Sequence, residues 1–449
     1  MLFCHPADGF VEHPYFRYRL TRAHHVANEM LVAKLHCRKP VVTLSDNLEE
    51  HSKKNPHDRG LEDVLRAIQG ACQAIGALIA RNQLESEVMM TWPQKGVPQS
   101  PSPLCLSADA VMKTALGSTN KVRAWASLVD KEPELVEIKS RVSGIGGNSV
   151  GQQYVVVFDP LDTSFDVDPA VSTGSIFGIY AAKHHGEGAE REACGKTEGE
   201  AMLQAMRPGR ELMAAGYCMY SSCTMLVLAT AGGAVNVFTL DSARACESGT
   251  SSASYTNRDA SCFLLTHPDQ RMPATGNIYS IDEAMMPAWD SKLEEYVSDI
   301  KAGRVSDGTA YSNRCVGAIV PDFHRTLLYG GILGMPALHS KPMHFSRATS
   351  GTLSLACAAA PLAFIAECAG GRAWSPTSPE QKESHSQNGV QSAPSRKFPE
   401  PSGDILNMEP QKIAQGAHGF FGSRDDVSEV KRYLMRNLGS RGGEERHLK

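Results

Sequence analysis

Apolar residues recur along this chain with two different periods, and the switches between them predict its elements. Over Gly60–Arg81, Leu61, Val64, Leu65, Ile68, Cys72, Ile75, Leu78 and Ile79 return at the 3.6-residue spacing of an amphipathic helix. Asp58 stands where a capping side chain would begin it. Val316, Ile319, Val320, Phe323 and Leu327 keep the same spacing in the second half, and Pro321 fits that helix only in its first turn or with a kink. Ser423-Arg-Asp-Asp-Val427 opens a last helix with Val427, Val430, Leu434 and Leu438 inward. Tyr154–Phe158 is a continuous β-favouring run, as expected of a strand covered on both faces, and Pro160 is expected to stop it.

Met213–Leu240 contains no charged residue and has the length of a membrane span. Ser221, Ser222, Asn236 and the turn pair Gly232-Gly233 argue against that. They split the segment into two β-like runs, Thr224–Ala229 and Ala234–Leu240, which read as a buried hairpin. Proline-rich Met89–Leu104 reads as a loop, and Gly-, Glu- and Lys-rich His184–Glu200 as a solvated insertion. Pro376–Pro401, rich in Ser, Pro and Gln and nearly free of apolar residues, is expected to be disordered.

At 449 residues the chain can bury a large core and is expected to form two domains. His267–Gly276, with its prolines and glycine, is the expected boundary. The organisation is then an N-terminal extension over 1–40, a domain over 41–275, and a second over 276–449 carrying the insertion 376–401. Forty-five basic against 49 acidic residues, a formal charge of −4, give no footprint for nucleic acid or an anionic membrane. The twelve cysteines show no C-x-x-C pair or zinc spacing, and Cys218, Cys357 and Cys368 lie in apolar stretches as buried free thiols would. That favours a reducing compartment, and the expected location is cytoplasmic. Residues 1–40 are rich in His and Arg and poor in acids. They lack the apolar core of a secretory signal, and a transit peptide is the alternative reading.

The chemistry lies where the Tyr154–Phe158 run ends, in Asp159-Pro-Leu-Asp162-Thr-Ser164. Two carboxylates on one turn, with the Leu161 carbonyl as a third oxygen, can hold a hard divalent cation that takes its other ligands from water and phosphate. The bland alternative is that one aspartate caps a helix and the other is solvated.

D-P-L-D followed by small hydroxyl residues resembles the metal motif of the lithium-sensitive phosphomonoesterases. The motifs that follow narrow it. Val171-Ser-Thr-Gly-Ser-Ile-Phe-Gly-Ile-Tyr180, Pro208-Gly-Arg-Glu-Leu-Met-Ala-Ala-Gly-Tyr217, Ile278-Tyr-Ser-Ile-Asp-Glu283, Arg314-Cys-Val-Gly317 and His324-Arg-Thr-Leu-Leu-Tyr-Gly-Gly331 stand in the order of the fructose-1,6-bisphosphatase family. The likeness runs from about Thr43 to about Leu434. It implies an α/β fold of layered α/β/α/β/α packing, dimers or tetramers, and Mg²⁺-assisted hydrolysis of a sugar 1-phosphate.

Set against the family's motifs, much of that machinery is replaced. The family's Thr-Glu-Glu-Asp-Lys, whose glutamates serve the metals, corresponds to Ser127-Leu128-Val129-Asp130-Lys131. A shifted register would bring in Asp130 or Glu132 but breaks the match to Asp-Lys. The upstream Asp-Val-Leu-Ser-Asn-Asp corresponds to Leu104-Cys-Leu-Ser-Ala-Asp109, which keeps only the second aspartate. The C-terminal metal glutamate corresponds to Ala358. Of the phosphate cradle Ser164 persists, while Thr163 and Phe165 replace Gly and Ser. Asp282 and Met285 stand for an Asn and a Tyr that grip the 6-phosphate, Cys315 and Met335 for two further tyrosines, and Thr352 for a lysine. At the family's AMP site Tyr154 is kept, but a lysine and an arginine are Gln153 and Ala181.

The resemblance therefore leaves Asp109 as a catalytic candidate. Asp159, Leu161 and Asp162 are the metal candidates, and Ser164, Glu283 and Arg314 the substrate contacts. Mg²⁺ binding is expected to be weak or absent. The reading these losses favour is a pseudoenzyme that acts by assembly, with itself or with an active paralogue, or by weak sugar-phosphate binding. The alternative is an active Mg²⁺-dependent phosphatase with a rearranged metal site.

Overall fold

A computed structural model of the chain describes residues 42–54, 59–85, 101–137, 152–163, 167, 170–183, 198–241, 262–305, 308–338, 352–376 and 403–436. Helices α1 (Leu44–Lys54), α2 (Arg59–Glu85) and α3 (Pro103–Ser118) come first. An eight-stranded sheet follows, built from β1 (Val122–Ser127), β2 (Glu134–Leu135), β3 (Tyr154–Asp162), β4 (Thr173–Ala181), β5 (Leu212–Tyr220), β6 (Thr224–Thr230), β7 (Val235–Asp241) and β8 (Cys262–His267). Its order is β2-β1-β3-β4-β5-β6-β7-β8, with α4 (Glu198–Ala205) between β4 and β5 in sequence. β1 and β3 run parallel, and the other neighbours are antiparallel.

The second sheet has the order β10-β9-β11-β15-β13, from β9 (Ile278–Ser280), β10 (Ser312–Asn313), β11 (Ile332–Met335), β13 (Arg372–Trp374) and β15 (Gly419–Gly422). β12 (Leu353–Ser354) and β14 (Gly416–Ala417) pair as a separate ribbon. The remaining helices are α5 (Ser291–Lys301), α6 (Ile319–Tyr329), α7 (Ala360–Cys368) and α8 (Arg424–Met435), and a single π-helical turn, Leu355–Ala359, leads into α7.

The side-chain alternation of β3 sets the layers. Tyr154, Val156 and Phe158 pack with Leu61, Ile68 and Met112 of α2 and α3. Val155 and Val157 turn the other way, into a core shared with Val320 and Phe323 of α6 and Leu362 of α7. Both faces are covered, which is why the strand reads as an unbroken apolar run. The second sheet does the same. Leu333 and Phe421 join the central core, while Tyr279, Ile332 and Phe420 meet α5 and α8 through Leu293, Val297 and Val430. The result is helix, sheet, helix, sheet, helix, as the α/β layering implied. The coil between β8 and β9 carries the chain from one sheet to the other.

The two periods placed most elements well. The helix expected over Gly60–Arg81 is α2, and the uncharged stretch is the β6–β7 hairpin, with Gly232 in its turn at φ +68°. Among the described residues no helix is long and apolar enough to cross a membrane. Pro321 sits in the first turn of α6, where a missing N–H costs no helical bond. Val316, however, is outside that helix and exposed, because the chain turns at Gly317 with φ +91° before the helix begins. Pro160 does not stop β3. The strand runs on to Asp162, and the pairing with β4 shifts between Asp159 and Asp162, so the proline falls at an irregularity where no ladder bond is needed. Leu104 is helical rather than looped: Ser102 caps α3 by accepting from Cys105 N at 3.1 Å, with Pro103 at the favoured first position. The end of the expected 184–200 insertion is α4. Asp58, Leu438 and nearly all of 376–401 lie outside the described residues.

One buried carboxyl gives the fold a pH dependence. Asp426, in the first turn of α8, is fully buried and accepts from Tyr311 OH at 2.8 Å and Gly276 N at 2.9 Å. Burial pushes its carboxyl up to about 6 from 3.8. A raised value means that its contribution is fully present below the unfolded value and is lost as pH rises through the folded one. Asp426→Asn keeps an acceptor without the charge. In urea melts, the stability of wild type relative to Asp426→Asn is expected to fall by about 2 kcal/mol between about pH 4 and about pH 7.5.

Candidate active site

The parallel pair β1–β3 builds the site. Ser127, the last residue of β1, lies opposite Phe158, and β3 runs on past it to Asp162, so the chain leaves β1 beside D-P-L-D. Leu128 N donates to Phe158 O at 3.0 Å and Asp130 N to Ser127 O at 3.0 Å, a turn that sets Leu128 beside the start of D-P-L-D. A cavity of about 730 Å³ opens there between the two sheets. Leu128, Val129, Lys131, Asp159, Leu161 and Asp162 line it from the first sheet. Asp282, Met285, Cys315, Met335 and Thr352 line it from the second part of the chain. Ala358, buried in the π-helical turn, completes the wall behind Asp159. The sequence positions marked as replaced are thus largely gathered around one cavity, at the end of a central strand.

The carboxylates are engaged in structural work. Asp162 Oδ2 accepts from Ile319 N at 2.7 Å and Val320 N at 3.2 Å, and its Oδ1 from Thr163 Oγ1 at 2.8 Å. It therefore caps α6 from 157 residues away, where the helix's own Ala318 has no side chain to do so. Gly174, which pairs with Asp162, makes this approach possible. A Cβ there would meet Val320 Cγ1 at 2.5 Å and Cys218 O at 2.6 Å, so α6 could not settle on the strand. Asp162→Ala is expected to cost about 1–2 kcal/mol in thermal or urea unfolding, equally with and without Mg²⁺, as loss of a helix cap does.

Asp159 is buried and accepts from Leu161 N at 3.2 Å. Burial, and then the neighbouring Asp162 charge, hold its carboxyl well above the usual range, toward the neutral form. Asp109 is buried behind the end of β1. It accepts from Ser127 Oγ at 2.5 Å and pairs with Lys113 at 3.0 Å. Lys113 also holds Asp130 at 2.8 Å, which turns that carboxylate away from the cavity, and Glu132 is exposed. The shifted register therefore supplies no ligand.

The donor set does not fit a cation cluster. Two or three divalent ions need comparable carboxylate charge around them. Leu128, Val129 and Ala358 offer no side-chain oxygen, and Asp162 is engaged in capping α6. Among the described residues no three His, Cys, Asp or Glu side chains are grouped so as to hold a metal.

The proposed substrate contacts lie beside this cavity rather than in it, in a groove that shares Asp282, Cys315 and Gly317 with it. Glu283 and Arg314 line a shallower groove of about 790 Å³, shared with Asn313 and Arg325. Glu283 is held by Lys301 at 2.9 Å, Asn313 at 3.0 Å and the Tyr279 hydroxyl. Arg314 is exposed, and one of its guanidinium nitrogens donates to Asn313 O at 3.1 Å. Ser164 and Phe165 lie outside the described residues. Leu104 packs into the α1–α3 core, and its neighbour Cys105 is what α3 gives to the cavity. Tyr154 is a core residue packed close to Gly60.

Two lining residues escaped the sequence reading. Asp322 on α6 is buried, accepts from Val316 N and Gly317 N at 3.1 Å, and pairs with Arg325 at 2.6 Å, which pins the loop that enters α6. Its signal was an acidic residue among the apolar positions of that helix's first turn. Trp289 lines the cavity on the second-sheet side, and nothing in its neighbours marked it.

A two-sheet, five-layer α/β body with a cavity at the ends of a parallel strand pair defines the sugar-phosphatase class of fold. The comparisons narrow it. The model of the fructose-1,6-bisphosphatase N-terminal domain matches residues 42–246, and that of the C-terminal domain matches 272–381. The chloroplastic fructose-1,6-bisphosphatase of Pisum sativum is 33% identical over 402 residues, covering 88% of this chain and 83% of that one. The cytosolic enzyme of Brassica napus is 36% identical over 327 residues, covering 73% and 75%. The crystal structure of Leishmania major fructose-1,6-bisphosphatase in apo form superposes with a TM-score of 0.64 at 27% identity, over 88% of this chain and 100% of that one. This chain belongs to the fructose-1,6-bisphosphatase family.

Proposed function

We propose that the chain keeps the family's scaffold and has lost most of its hydrolytic chemistry. It then acts in sugar-phosphate metabolism as a pseudoenzyme, by assembly with itself or with an active relative, and binds sugar phosphate weakly at most. The observation that carries this reading is the wall formed by Leu128, Val129 and Ala358 at Asp159. Where cations would need carboxylates, the cavity presents methyl groups. The phosphate side is no better equipped. Asp282 adds a negative charge, Met285 and Met335 have no hydroxyl to donate where tyrosine would, and Thr352 brings no positive charge where lysine would. A reducing compartment, the cytoplasm, accords with the free thiols among the described residues, Cys72, Cys105, Cys218, Cys223, Cys315, Cys357 and Cys368.

The assembly half of this reading is tested by sedimentation of the purified chain, alone and mixed with an active fructose-1,6-bisphosphatase from the same cell. Self-association or a mixed oligomer is the expected result. A chain that stays monomeric in both samples rules the assembly role out.

A further inference from the structure

We propose that the Lys113 ammonium is a tethered cation that stands in for a metal ion at the end of β1, holding together carboxylates that would otherwise need a divalent cation. The inference goes beyond the loss of hydrolysis proposed above and does not depend on it. It rests on where the ammonium lies. Lys113 Nζ is 3.0 Å from Asp109 Oδ2 and 2.8 Å from each carboxylate oxygen of Asp130. Glu134 Oε1 stands farther off, at 3.8 Å. The Lys113, Asp109 and Asp130 side chains are only 19%, 10% and 17% exposed, so solvent screens their charges little. Burial lifts the Asp130 carboxyl above its ordinary value, and the bond from Lys113 works against that lift.

The same contacts position the turn that carries Leu128 and Val129 to the cavity. Asp109 Oδ1 accepts from Ser127 Oγ at 2.5 Å, and Ser127 Oγ accepts from Val129 N at 3.3 Å. Asp130 closes the turn through its N–H to Ser127 O at 3.0 Å. Lys113 therefore grips both ends of Ser127–Asp130 from α3, Asp109 at one end and Asp130 at the other. A divalent cation between these carboxylates would draw the same oxygens in to about 2.0–2.6 Å. It would also leave with a chelator, whereas the ammonium is fixed to α3 by its own side chain. An ordinary ion pair and a stand-in for a metal both lose stability when the lysine is removed. Only the second leaves a vacancy that a metal ion can refill.

The test uses the full chain and its Lys113→Ala variant, melted in chelator and in millimolar Mn²⁺. In chelator the variant is expected to melt about 5 °C below wild type, because one partner of a largely buried pair is gone. In Mn²⁺ it should regain at least about half of that loss, while wild type does not move. Electron paramagnetic resonance counts bound Mn²⁺ by the loss of the free-ion signal, and the variant should take up one more ion than wild type. The double variant Lys113→Ala, Asp130→Asn removes the stranded charge. It should melt above the single variant in chelator and lose the Mn²⁺ response. Should Lys113→Ala fail to fold in chelator, folding of the double variant there carries the same support. The proposal is overturned if Lys113→Ala melts with wild type in chelator, if it folds but binds no additional Mn²⁺, or if neither variant folds. Those results leave the pseudoenzyme reading standing, since that reading falls only to cation-dependent turnover of the wild-type chain, a separate measurement.

Discussion

Purified protein supplied with Mg²⁺ or Mn²⁺ is expected to release phosphate from fructose 1,6-bisphosphate at least about a thousandfold more slowly than a relative with its full set of metal carboxylates. A bound cation stabilises transition-state charge by several kcal/mol, and about 4 kcal/mol is a thousandfold in rate. Phosphate monoesters react so slowly unaided that losing this assistance leaves little behind. Here Leu128, Val129 and Ala358, which the proposed reading sets in place of metal carboxylates, line the cavity, and Asp162 Oδ2 is held by two α6 amides at 2.7 and 3.2 Å. On that reading the changes at Asp282, Met285 and Thr352 act on affinity and the absent carboxylates act on the barrier, so saturating substrate is not expected to rescue the rate. Whatever release is observed should be as fast with chelator as with Mg²⁺, and Asp159→Ala should not change it. Brisk Mg²⁺-dependent turnover that Asp159→Ala abolishes would show that the cavity finds its ligands elsewhere.

How much of this was legible in the sequence depended on whether the cause was local. α2 and β3 were legible because burial of one face, or of both, writes directly into the apolar period. The β6–β7 hairpin was legible because Gly232-Gly233 breaks an otherwise uninterrupted apolar segment. Three errors shared one physical origin, a local signal overruled by a neighbour. Pro160 reads locally as a terminator, but the irregular pairing with β4 accommodates it within the strand. The prolines before Leu104 read as loop by composition, although Ser102-Pro103 is a helix start, a cap followed by the first helical residue. Val316 kept the helical period but falls before the turn at Gly317.

The site divides in the same way. That Leu128, Val129 and Ala358 meet Asp159 was foreseen only through the resemblance, since nothing local encodes the pairing of β1 with β3 across 154–158. Asp162's engagement with α6 is a contact between residues 162 and 319, invisible to spacing. The bland reading of D-x-x-D, one aspartate capping a helix, describes Asp162 well. The helix it caps is simply not the one that follows it in sequence.

Restoring glutamate at Leu128, Val129 and Ala358 together should give Mg²⁺ binding before it gives turnover. Without cation, three added carboxylates beside Asp159 and Asp162 repel one another in a poorly solvated cavity. The triple variant is expected to lose several kcal/mol of stability in chelator, seen as a lower melting temperature with circular dichroism still native below it. Mg²⁺ binds only the folded form, so the melting temperature should climb with Mg²⁺ concentration, and wild type should show no such climb. Turnover should stay close to the wild-type level, because Asp282, Met285, Met335 and Thr352 still face the substrate side of the cavity. The two readouts separate the two defects. A folded triple variant with no Mg²⁺-dependent stabilisation would mean that the three positions do not converge on Asp159. Full turnover from the triple variant would mean that the substrate side was intact all along, and that the metal ligands were the whole of what this chain had lost.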